Sequence, residues 1–301
     1  MKTVLEILAA TLLTISLAGC SGTSALQKRL NDFEALSQEQ MSRWDSVRRE
    51  KFNQKYIEWF SLQPGHSAMA MLNDEEIDAL FQAAGMVTFY ASLNHVDDQR
   101  RWLDELIQRH AATPAHHKRM HESYVRARRF DEARTLSQQH PEIELDPLPL
   151  IIDTLPHHTN ARTALIFSES DGGLIRRPVF DPDDGILVVF SPSCHFSQNA
   201  VAAIQADPDL IRIFGNNTQW LQPPDGRLEY DSFRRWISEH PWKKVGIAWR
   251  ADEWEQFDLG ATPAFYFVRN GEIIETVTGW PGEGRKAELL QAARISGFVK
   301  D

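Results

Sequence analysis

Val189-Phe190-Ser191-Pro192-Ser193-Cys194-His195-Phe196-Ser197-Gln198 is the stretch on which the reading of this chain turns. It closes Ile186-Leu187-Val188-Val189-Phe190, an unbroken apolar run of strand length that suits a central strand covered on both faces. Ser191-Pro192-Ser193 then makes a turn, and a helix is expected over 197–206, with the cysteine where that helix begins. A thiol there feels the positive end of the helix dipole and several free N–H groups. Both favour the thiolate, the form that attacks disulfides.

Working outward, Ala164-Leu165-Ile166-Phe167 reads as a strand, Asp171-Gly172-Gly173 as a turn, and Leu174-Ile175 with Val179-Phe180 as the return. Downstream, Leu210-Ile211-Arg212-Ile213-Phe214 and Val245-Gly246-Ile247-Ala248-Trp249 read as further strands, with a helix over 232–239 between them. A second segment, Gly260-Ala261-Thr262-Pro263-Ala264-Phe265-Tyr266-Phe267, leads into a hairpin whose turn is Asn270-Gly271. A closing helix is expected over 283–296. Alternating strands and helices with a hairpin and a last helix make an α/β sandwich around a mixed sheet.

The two segments together resemble the thioredoxin-like superfamily over roughly residues 160–298. There a strand leads into an active-site cysteine at a helix N-terminus, a cis-proline preceded by a small residue opens the facing strand, and a hairpin follows. The strand pair before Ile186 and the segment around 220–242 resemble envelope thioredoxins of the cytochrome-maturation type. The resemblance implies thiol–disulfide chemistry at Cys194. His195, if protonated, would lower the thiol's pKa, and a cis peptide at Thr262-Pro263 would leave the Thr262 backbone free to pair with an extended client, with Pro263, His195 and Ser197 also at the client-binding surface.

The departure is at the fourth position. The family's Cys-x-x-Cys is here Cys194-His195-Phe196-Ser197, and Ser197 cannot accept the second sulfur. Three readings follow: a monothiol resolved by an outside thiol, a redox-inactive binder of peptides or of an envelope assembly, or a metal ligand pair with His195. Adjacent ligands with no distant partner speak weakly for the third, and no metal site or cofactor beyond a lipid is expected.

The amino terminus reads as an address. Ile7 to Leu17 is largely apolar but too short to span a membrane, which takes about 20 residues. Leu17-Ala18-Gly19-Cys20 resembles the bacterial lipobox, which implies a signal peptide over 1–19, acylation of Cys20 with palmitate-type chains, and an anchor in the outer membrane facing the periplasm. With two cysteines in the chain, that leaves Cys194 as the single thiol in an oxidising compartment.

Residues 20–140 read as an all-α domain, with a solenoid-type packing as one option because 124–141 resembles half of a tetratricopeptide-type pair. Asn73 is placed to cap one helix, Asp98 a second, and Thr113-Pro114 a third. Four prolines between 141 and 156 predict a linker over 141–158 before the α/β domain of 159–301.

A net charge of −10, from 32 Lys+Arg and 42 Asp+Glu, argues against nucleic acid as a partner. Envelope proteins or an external resolving thiol are the expected partners, with the membrane engaged through the lipid. His117 and His121 stand one helical turn apart and could face a metal, although a solvated basic helix face is the plainer reading. Five of nine tryptophans fall between Trp220 and Trp254, to line a groove or, more simply, to fill a core.

Overall fold

The computed structural model describes residues 24–39, 46–61, 69–155, 161–168, 172–179, 184–215, 218–240 and 244–299. The proposed address and Cys20 lie outside them.

The first half is helical: α1 (Ala25–Glu39), α2 (Ser46–Phe60), α3 (Asp74–Tyr90), α4 (Val96–Gln108), α5 (Pro114–Arg126) and α6 (Phe130–Gln139). Phe33 stacks on Phe52 with ring centroids 3.9 Å apart, and both are fully buried. Asn73 caps α3 in a reciprocal capping box with Glu76, at 2.9 and 3.1 Å, which satisfies two otherwise orphaned amides. Asp98 does not cap α4. It lies in the first turn and accepts from His95 and Arg101, while His95 occupies the cap position.

Among the described residues, the second half forms one eight-stranded mixed sheet, in the order β1-β3-β2-β6-β5-β4-β7-β8. Its strands are β1 (Ile151–Ile152), β2 (Thr163–Phe167), β3 (Leu174–Pro178), β4 (Asp184–Val189), β5 (Thr218–Gln222), β6 (Val245–Ala248), β7 (Ala264–Arg269) and β8 (Glu272–Thr278). Helices α7 (His195–Ala206) and α8 (Pro208–Phe214) join β4 to β5, α9 (Tyr230–Glu239) joins β5 to β6, and α10 (Lys286–Ile295) closes the chain. β4 is flanked by β5 in parallel and β7 antiparallel.

Period-two alternation divides the core between the two faces of the sheet. Ile186, Val188, Phe190, Trp220 and Phe265 pack under the helices, while Leu187, Val189, Leu221 and Tyr266 face Trp254, Phe257 and Leu259 from the β6–β7 connection. The first of these cores runs without a break into the helical half, from Leu26 to Ala293. The segment expected as a linker is laid along the sheet edge. Ile151 and Ile152 pair in parallel with β3, and Arg134 donates to the Pro149 carbonyl at 3.0 Å.

The expected strand over 210–214 is a helix. Asp207 accepts from the amides of Asp209 and Leu210 at 3.0 and 3.2 Å, and Pro208 takes the first helical position, so a local cap overrides the apolar run. The strand comes later, at Thr218–Gln222. Nor is the His117/His121 face solvated: both rings are buried, because α5 lies against neighbouring chain on that side. Trp220, Trp249 and Trp254 are buried core residues; Trp236 is buried too but shows an edge to the groove between α7 and α9, and Trp242 lies outside the described residues.

Candidate functional site

The register of β4 against β7 pairs Val189 with Ala264, so the chain leaving β4 and the chain arriving at β7 meet at one sheet end. Cys194 is the residue just before α7, with extended backbone (φ −85°, ψ 117°). Across from it Thr262-Pro263 is a cis peptide, and the Cys194 Sγ lies 3.7 Å from the Thr262 carbonyl oxygen. Pro263 is buried, and its carbonyl accepts from the Gly279 amide at 2.8 Å, which ties this loop to the far end of the hairpin.

The turn carrying the cysteine is clipped onto the helix it precedes. The Ser191 amide donates to Ser197 Oγ at 3.2 Å, the Cys194 amide to the Ser191 carbonyl at 3.1 Å, and Gln198 Nε2 to the Pro192 carbonyl at 2.7 Å. Ser197 is buried, so its hydroxyl is a structural bridge as well as a neighbour of the sulfur. Sequence reasoning placed Ser197 at the client surface and noted the sulfur it lacks, but not this bridge. The Ser-Pro-Ser turn and Gln198 were the available signal for these clips.

Partial burial pushes the Cys194 thiol up, but it is outweighed by the amides of Ser197 and Phe196 and the hydroxyls of Thr262 and Ser197, and the thiol lies below its ordinary value. The activating groups are therefore neutral: dipoles at the helix tip and the Thr262 hydroxyl across from it. His195 is exposed, with its ring 3.8 Å from that of Phe196, itself an exposed aromatic beside the thiol. A groove of about 450 Å3 opens next to the turn between α7 and α9, along Pro192, Ser193, Gln198 and Trp236.

Cys194, Ser197, Thr262 and Pro263 thus converge, with His195 at the rim. A thiolate so placed can attack a client disulfide, forming a Cys194–client disulfide and releasing one client thiolate. A second thiolate from outside the domain must then displace Cys194, because the fourth position is Ser197. Among the described residues no group of three or more His, Cys, Asp or Glu side chains is arranged to hold a metal ion. None of the described helices is long and apolar enough to cross a membrane.

No protein-family model and no curated protein matches the chain. Among solved structures, it is similar to a thioredoxin-like protein from Bacteroides caccae, at 12% identity over 96% of this chain and 99% of that one, with a TM-score of 0.30. A likeness of that size carries no argument about activity. The α/β arrangement rests on the strand order and the site geometry.

Proposed function

We propose that the chain is an envelope lipoprotein, anchored through Cys20 in the outer membrane, whose thioredoxin-like domain forms mixed disulfides with envelope proteins through Cys194. The observation that supports it is the partly buried thiol at the start of α7, lowered by helix-tip amides and facing the Thr262 carbonyl. Thr262 and Pro263 shape the client side, and an external thiol resolves the intermediate. Trapping tests it. Cells quenched in acid should yield disulfide-linked partners in the wild type and none in Cys194→Ser. An empty wild-type lane refutes the redox reading.

One observation favours a second reading. Ser197 is buried and engaged by the Ser191 amide, so the fourth position is built into the turn. A redox-inactive adaptor that keeps the same peptide-binding surface would use it that way, and would capture partners equally well as Cys194→Ser.

A further inference from the structure

Between the helical half and the sheet lie two cavities of about 530 and about 580 Å3, with Phe89, Tyr90 and Arg126 in the wall of both. Arg126 donates from Nη1 to the Pro224 carbonyl at 2.8 Å, and its guanidinium lies 4.1 Å from the Phe89 ring centroid. Among the described residues no carboxylate stands within ion-pair distance of it, whereas Arg109, Arg129 and Arg176 each have two. Asp225 attracts it from further off, but Asp225 already accepts from Gln222 and from the amides of Arg227 and Leu228. Burial pushes the Arg126 guanidinium down to about 10. Arg126 is half-buried, and a partly desolvated cation without a counter-charge lowers stability unless something neutralises it.

We infer that the 530 Å3 cavity binds a small organic carboxylate, with its carboxylate on Arg126 and its apolar body against Phe89, Tyr90 and Leu93. The volume falls within the usual range for small-molecule sites. A single guanidinium fork matches one carboxylate. A multiply charged phosphate would also meet Glu50, Asp252 and Glu255 on the rim. Two of the other charged groups are engaged elsewhere, Arg250 on Asp252 at 3.0 Å and Glu50, which accepts from Gln54 at 2.9 Å, and Arg49 adds a second cation to the wall. Thr88, whose buried Oγ1 has no partner, lies on the same wall.

The test is thermal unfolding of the purified protein in benzoate, against sodium chloride and inorganic phosphate at equal ionic strength. About 10 mM benzoate should raise the midpoint by roughly 3 °C if its Kd is near 1 mM. Phosphate should do no more than chloride. The rise should vanish in Arg126→Gln, which keeps a donor for Pro224, and in Leu93→Trp, which fills the cavity with Arg126 intact. No rise in the wild type, an equal rise in both variants, or phosphate matching benzoate would each overturn the inference. Should Arg126→Gln fail to fold, saturation-transfer NMR decides: benzoate ring signals must appear with the wild type and disappear with Leu93→Trp.

Discussion

Arg128 joins the two halves of the molecule, and its removal has a calculable cost. Its Nε donates to the Trp249 carbonyl and its Nη2 to the Ala248 carbonyl, at the end of β6, and the side chain is buried. The guanidinium also lies 5.8 Å from the ring centroids of both Phe130 and Trp249. Truncation in Arg128→Ala leaves two buried carbonyls unpaired, each costing about 1–3 kcal/mol. Relief of the desolvated charge offsets part of this, so a net loss of about 2–4 kcal/mol is expected.

Arg128 also has φ +62°, the left-handed region. Arg128→Gly loses the same hydrogen bonds but sheds the Cβ penalty, and should be more stable than Arg128→Ala by about 1 kcal/mol. Urea unfolding followed by tryptophan fluorescence gives both values. Because one core runs through both halves, the wild type should unfold in a single transition. A wild type with two separate transitions, or an Arg128→Ala loss below about 0.5 kcal/mol, would refute the reasoning.

Three further outcomes follow. A Cβ at Gly246 would sit 2.8 Å from Ile166 Cδ1 and 2.9 Å from Ala164 Cβ, so Gly246→Ala should cost about 1–3 kcal/mol in the same unfolding assay. Burial holds His117 and His121 below the ordinary imidazole value of 6.5, so the unfolded chain binds protons first. Stability should be full above that value and fall as the pH drops through it, and the fall should shrink in His121→Phe when urea midpoints are compared between pH 7 and pH 5. Ser197→Cys restores the second sulfur and should raise insulin reduction by dithiothreitol roughly tenfold over the wild type, with no gain in Cys194→Ser/Ser197→Cys.

The parts of the site legible in the sequence are those whose signals are local. The 186–190 run marks a strand because no polar residue interrupts it. Asn270 and Gly271 adopt the positive φ values, 50° and 77°, that their types permit. The register break between Phe267 and Val268 had no such marker. Leu210 to Phe214 misled because a short apolar run fits strand and helix alike, and Asp207-Pro208 was the deciding signal. The seam was invisible for a different reason. Arg126 and Arg128 look like surface residues of a basic helix end, and only the approach of residues 224–226 and 248–249 covers the first in part and buries the second. The same holds for His117 and His121, whose spacing describes a helix face but not what covers it.

The thiol itself gives the most direct measurement. The rate of Cys194 alkylation by iodoacetamide across pH should titrate with a midpoint below the roughly 8.5 of an unperturbed cysteine, and the midpoint should move up in Ser197→Ala as one of the hydroxyls acting on the sulfur is lost. A midpoint at or above that value would contradict an activated thiol at the tip of α7.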